Sequence, residues 1–297
     1  ILTSFVHETG RSTGRSEIES WKNSMMFMRN IVEDSEIPDD AGIAIEYVIP
    51  ATSKRIDFII TGLSNEEQDT AILIELKQWQ KAEKTNLDGM VRTVLGGGLR
   101  ETSHPSYQVW SYAALLQDFN TNVRDNDIQL KPCAYLHNYE PDDVIRDDFY
   151  AEYLSEAPLF LRNDTEKLTD FIKQYITYGD KNNVMYQIEN GKIRPSKQLA
   201  DSIAGMLKGN KEFTLIDDQK LVYEKALNLS QAATDEVKEV LIVEGGPGTG
   251  KSVVAINLLV EMTQRNQTVK YVTRNSAPRL VYEAILTGSM TKSRISN

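Results

Sequence analysis

A single cysteine, Cys133, rules out an intramolecular disulfide and any cysteine-rich zinc site, and such cysteine usage fits a reducing cytoplasm. Histidine is almost as scarce, and His7, His104 and His137 are too scattered to form a zinc cage. No apolar run reaches the ~18 residues that a membrane helix needs, and no signal-peptide pattern is visible, so no membrane partner is expected. Basic residues are the minority, 33 against 43 acidic, for a net charge of −10. That balance argues against a chain that wraps nucleic acid with its whole surface. It leaves room for a local basic groove, because steering depends on how charge is distributed. The chain opens on Ile1 rather than Met, which reads as a processed or trimmed start.

What is present suggests two domains in 297 residues. Residues 16–33 read as an amphipathic helix, with Ile18, Trp21, Met25, Met28 and Val32 on one face. Three strands follow, Ile43–Ile49, Arg55–Thr61 and Ala71–Gln78, and then a polar segment with a Gly-rich loop at Gly96–Gly98. A helix over Ser106–Leu116 and a strand over Pro132–His137 complete an α-β-β-β-α-β order. Residues 150–180 read as helical, Asn190–Leu199 as a connector and Ser202–Leu207 as a short helix. From about Phe213 a helix leads into an apolar strand, "EVLIV". The domain reading is therefore residues 1–195, a linker over 196–212 and a second domain over 213–297.

Directly after "EVLIV", Gly245-Gly246-Pro247-Gly248-Thr249-Gly250-Lys251-Ser252 matches G-x-x-x-x-G-K-[ST] in full and precedes a helical pattern. That strand–loop–helix context predicts a P-loop. Its glycines, Gly245, Gly248 and Gly250 among them, let backbone N–H groups, with that of Thr249, converge on phosphate oxygens. Lys251 neutralises the outer phosphates and Ser252 holds Mg²⁺, so ATP with Mg²⁺ is the expected ligand. Upstream, Gln219 in "FTLIDDQK" resembles the adenine-reading glutamine of superfamily 1 helicases; alone, it reads equally as a solvated helix residue. Downstream, "YVTRNSAPR" offers Arg274 and Arg279 as nucleic-acid-binding candidates by the same resemblance, with two surface arginines as the plain alternative. No Asp-Glu pair at the end of an apolar strand follows before Asn297. The expectation is a lobe incomplete in this chain, truncated before its acidic metal ligand and unable by itself to act as an ATPase or helicase.

The strand "AILIELKQW" carries Glu75 and Lys77 on one face, since residues two apart on a strand share a face; Ile72, Ile74, Leu76 and Gln78 form the other. A hairpin centred near Glu66 sets Asp57, in "KRIDFII", across from Glu75. Two adjacent carboxylates call for a counter-charge, and Mg²⁺ or Mn²⁺ with oxygen ligands supplies one. The alternative is a structural Glu–Lys pair on a half-exposed strand.

Asp-x(17)-Glu-x-Lys in α-β-β-β-α-β order resembles the PD-(D/E)xK nuclease superfamily, with Ile56 in place of the usual Pro. The resemblance implies that Asp57 and Glu75 hold the metal with the Leu76 carbonyl, and that Lys77 positions the nucleophile. "HPSYQVWSY" supplies Gln108 and Tyr112, a Q-x-x-x-Y that looks like the extra motif of RecB-type nucleases; four residues apart on a helix, the two share a face. Glu17 is the candidate for the additional carboxylate that many members place on the first helix. Together with "IEYVIPATSKRIDFIITG", "LHN" and "VEGGPGTGKSVVAINLL", these motifs look like a bacterial family that joins a nuclease-like domain to a Schlafen-type superfamily 1 DNA/RNA helicase domain. The implied fold class is α/β: a restriction-endonuclease-like core followed by an incomplete P-loop, RecA-like lobe. The implied function is metal-dependent cleavage of DNA or RNA, with a role in phage defence. Two other readings stand beside it: a catalytically silent nucleic-acid-binding module that regulates an ATPase, and a P-loop regulatory ATPase with a purely structural Glu–Lys pair.

Overall fold

The computed structural model describes residues 15–50, 52–194, 214–234, 236, 238–274 and 295–296, with side chains described for all but 15–17, 19–20 and 295–296. The chain divides into two compact units, Ile1–Arg194 and Pro195–Asn297. The short helix expected at Ser202–Leu207 lies outside the described residues. Among the described residues, no helix is long and apolar enough to cross a membrane.

The first unit is a mixed α/β structure. Helix α1 (Arg15–Val32) buries Trp21, Ser24, Met28 and Ile31, a stripe at helical spacing. Strands β1 (Gly42–Val48), β2 (Arg55–Leu63) and β3 (Asp69–Lys77) form an antiparallel meander. After an excursion described below, helix α2 (Pro105–Phe119) and the short α3 (Thr121–Asp125) return the chain to β7 (Gln129–Leu136), which lies parallel to β3. The edge strand β8 (Leu159–Leu161) completes a five-stranded sheet in the order β1-β2-β3-β7-β8.

Alternation decides which side of the sheet meets which helix. Phe58, Ile60, Ile72, Ile74, Leu76, Cys133 and Tyr135 form one buried cluster with Met28 and Ile31 of α1 and with Leu168 and Ile172 of α5 (Thr165–Tyr175). Each such fully buried aliphatic side chain is worth roughly 1.5–3 kcal/mol. Helix α2 packs on β3 and β7, and its own buried residues, Tyr107, Val109 and Tyr112 among them, are absent from that cluster. It therefore covers the opposite face, which carries Ala71, Leu73 and Glu75.

Three sequence expectations are corrected. Residues after Lys77 are not simply a polar loop: β4 (Glu83–Lys84), β5 (Met90–Leu95) and β6 (Gly98–Ser103) make a separate three-stranded sheet. Gly96 and Gly97, at φ +60° and +81°, form the two-residue turn between the paired Leu95 and Gly98, a conformation that only glycine adopts at low cost at both positions. The helical reading of 150–180 breaks into a 3₁₀ turn at Asp148–Tyr150, helix α4 (Ala151–Glu156), strand β8 and helix α5. Pro158 stops α4, because proline disfavours helical backbone before it and offers no N–H. The unit ends with α6 (Val184–Asn190), which packs against β1, β2 and β3.

The third correction is in the second unit. The apolar run "EVLIV" is not a strand: residues 238–246 carry no regular structure, and Val240 and Ile242 are 82% and 78% exposed. A strand needs a ladder partner, and none of the described residues pairs with this segment. Helices α7 (Asp217–Ala232) and α8 (Lys251–Gln264) pack together, with Leu227, Val254, Ile256, Leu259 and Val260 buried. Strand β9 (Tyr271–Val272) pairs in parallel with β10 (Ile295–Ser296).

Candidate functional site

The β2–β3 ladder runs from Leu63↔Asp69 to Phe58↔Ile74 and stops there. One step further sets Asp57 opposite Glu75. At that step a carboxylate replaces the backbone acceptor: Asp57 Oδ2 accepts the Leu76 N–H at 2.8 Å. The Glu75 side chain lies within hydrogen-bonding reach of the same carboxyl. Glu75 is 1% exposed, and Lys77 Nζ donates to its Oε1 at 2.6 Å while standing 5.6 Å from the centre of the Trp79 ring. Two carboxylates and an ammonium thus meet where β2 and β3 part.

Electrostatics at this point are opposed. Burial pushes the Asp57 carboxyl above its usual range. The Lys77 charge, the Leu76 N–H, the Arg55 charge and the Glu75 side chain each pull it back, without cancelling the rise. Such a pair is eased by a shared proton or by a bound cation. The donor set, two carboxylates with the Leu76 carbonyl between them in sequence, suits a hard divalent ion that keeps water in its remaining positions. Among the described residues no three His, Cys, Asp or Glu side chains group as a metal site.

Helix α2 brings the next two candidates to the sheet face that carries Glu75. Gln108 Nε2 donates to the Tyr112 hydroxyl at 3.1 Å, and Tyr112 is buried. The helix start is fixed by His104, whose Nδ1 accepts the Ser106 N–H at 3.2 Å and whose Nε2 therefore donates to the Ile145 carbonyl at 2.9 Å. Burial lowers the His104 pKa to about 4. The Glu17 side chain lies outside the described residues, although α1 itself is present.

Sequence reasoning missed several neighbours. Arg55 Nη1 lies 3.0 Å from Glu46 Oε2, and its guanidinium is 6.0 Å from the Trp21 ring centre. Ser24 Oγ meets His137 Nε2 at 3.1 Å and accepts from Gln78 Nε2 at 3.4 Å, joining α1 to the ends of β3 and β7. The signal for Arg55 was its place two residues before Asp57 on the same strand. For Glu46 the sequence held none. A cleft of about 520 Å³ lined by Trp110, Lys131, Pro132 and Tyr175 lies at the start of β7, away from Asp57 and Glu75.

In the second unit, Gly248 and Gly250 hold φ +75° and +81°, and α8 begins at Lys251 immediately after them. Lys251 Nζ folds back to donate to the Gly245 and Gly246 carbonyls, both at 2.6 Å, and approaches Thr249 Oγ1 at 3.3 Å. Ser252 is exposed in the first turn. Gln219 stands beside the loop: Nε2 donates to the Thr249 carbonyl at 3.1 Å and Oε1 accepts the Ile216 N–H at 3.2 Å. Arg274 is exposed at a bend just after β9, while Arg279 lies outside the described residues.

Glycine-loop, lysine and helix start together define a candidate phosphate-binding element. The family model for the Schlafen group 3 DNA/RNA helicase domain matches residues 238–297, a span that includes this element. That part of the chain is thus similar to a Schlafen-type helicase domain. No curated protein and no solved structure matches the chain significantly.

Proposed function

We propose that the first unit is a metal-dependent nuclease with a PD-(D/E)xK core, joined to an ATP-binding helicase unit. The observation that carries this reading is the break in the β2–β3 ladder, where Asp57 takes the Leu76 N–H beside the buried Glu75–Lys77 pair. Asp57, Glu75 and the Leu76 carbonyl hold Mg²⁺ or Mn²⁺. The bound ion supplies an acidified water and a counter-charge for the phosphate. Lys77 is paired at 2.6 Å with a carboxylate of that set and so points at the same spot, where it orients the attacking water. Gln108 and Tyr112 shape the substrate side from α2. In the second unit Lys251, the loop glycines and Ser252 take ATP with Mg²⁺, and Gln219 reads its adenine after giving up its hold on Thr249. Arg274 and Arg279 meet nucleic-acid phosphates. Cleavage of foreign DNA or RNA in the cytoplasm, as in defence against phage, is the role such a fusion suits.

The test is cleavage of end-labelled single- and double-stranded DNA and RNA in Mn²⁺, comparing the native chain with Asp57→Ala and Lys77→Ala. Activity that either substitution abolishes supports the reading; activity that neither changes removes it. A second reading, a silent nucleic-acid-binding module that gates an ATPase, is favoured by one observation: among the described residues, no group of three acids or other metal-ligating side chains forms here. It predicts binding without cleavage in every metal.

A further inference from the structure

β1 and β2 pair on both sides of one unusual position. Ile45↔Phe58 and Tyr47↔Ile56 are in register, which sets Glu46 directly across from Asp57. Asp57 in turn stands across from Glu75, so three acids lie in a row over three adjacent strands. Glu46 interrupts its strand with φ +56°, in the left-handed region that a long side chain adopts only at a cost. Such strain within a regular ladder points to a constraint beyond packing. What it accompanies is the ion pair with Arg55: the Glu46 side chain is 10% exposed and the Arg55 side chain 29%. Arg55 thus pairs with Glu46, lies beside the Trp21 ring, and acts on the Asp57 carboxyl by its charge.

Glu46 does not extend the Asp57–Glu75 pair into a three-acid metal group. Its strained conformation serves the arginine instead. An arginine paired with Glu46, with a partly exposed side chain and a charge that acts on Asp57, carries the planar fork that binds phosphate oxygens. We propose that Arg55 is the second cation of this site, contacting a backbone phosphate of the nucleic acid next to the one being cleaved, and that Glu46 is its positioning residue. The proposal rests on the nuclease reading for the word "cleaved", but its contact with a phosphate can be measured without cleavage.

The experiment measures binding of a fluorescein-labelled oligonucleotide to the whole chain in Ca²⁺, over a series of salt concentrations. Removing one cation from the phosphate backbone lowers the slope of log K against log salt by about 0.7–0.9. Arg55→Gln should lower the slope by that amount and weaken binding at low salt, while Arg55→Lys should keep the slope. Glu46→Gln should weaken binding with the slope retained. Arg29→Ala, which removes an exposed helix arginine paired with Glu33, should change neither. An unchanged slope in Arg55→Gln overturns the proposal, whatever happens to cleavage. A reduced slope in a chain that cleaves nothing in any metal upholds the phosphate contact and removes the nuclease reading. A reduced slope that Arg55→Lys fails to restore, with melting lowered equally in both variants, shows a structural role and also overturns it.

Discussion

Replacing Lys77 with Met keeps most of the side-chain stem and removes only the charge, leaving Glu75 at 1% exposure without the ammonium 2.6 Å away. Removing one partner of a fully buried pair costs about 3–5 kcal/mol. The Lys77 side chain is 18% exposed, so water can replace part of what is removed, and about 2 kcal/mol is the expected penalty. For a unit of this size that lowers melting by about 4–8 °C. Adding Glu75→Gln in the same chain removes the stranded charge and should recover most of the loss, because the two positions couple directly. Mn²⁺ should raise melting further in Lys77→Met than in the native chain, since it then replaces the counter-charge that Lys77 supplied to Glu75. Scanning calorimetry in EDTA and in Mn²⁺ reads all three. Equal melting of Lys77→Met and native protein would refute the reasoning, as would a double variant no better than the single one.

The remaining expectations concern the supports of the two sites. His104 is held neutral with a pKa of about 4, whereas an unfolded histidine takes its proton near 6.5. Its contribution to stability is therefore complete above pH 6.5 and is lost as pH falls toward 4, by up to about 3 kcal/mol. Urea unfolding at several pH values should show that slope in the native chain, and His104→Asn, which keeps a capping side chain, should remove it. In Gly250→Ala the new Cβ would stand 2.4 Å from Gln219 Nε2, at a φ of +81°. The variant should lose fluorescent ATP-analogue binding by tenfold or more, with its far-UV circular dichroism unchanged; native affinity would contradict the role given to the loop.

The pairing of Asp57 with Glu75 was legible because a hairpin is symmetric about its turn, and the Ser64 N–H does donate to the Gln68 carbonyl at 3.0 Å across that turn. Trp21 and Met28 of the α1 stripe and the two faces of β3 were legible for a similar reason, since buried positions repeat with the period of the element, while Ser24 and Ile31 took the buried places expected of Met25 and Val32. Local rules failed where a neighbour decides the outcome. Val240 and Ile242 have every preference for a strand, yet stand exposed, and none of the described residues pairs with their backbone. The β4–β6 sheet escaped notice because β4 has two residues, both exposed, and the Gly96-Gly97 turn reads as a loop until the flanking residues pair. Glu46 was hidden because it departs from the alternation of its own strand, and nothing in one sequence signals a positive φ at a glutamate. Sites tend to sit at such departures, where local preference yields to the arrangement as a whole.

The central claim is that Asp57 and Glu75 together hold a divalent cation. Titration calorimetry of Mn²⁺ into the nucleotide-free chain tests it most directly, because the P-loop engages its metal through ATP. The account predicts saturable binding that strengthens as pH rises and the raised Asp57 carboxyl gives up its proton, and that Asp57→Ala weakens at least tenfold. No binding to the native chain, or equal binding to Asp57→Ala, would contradict it.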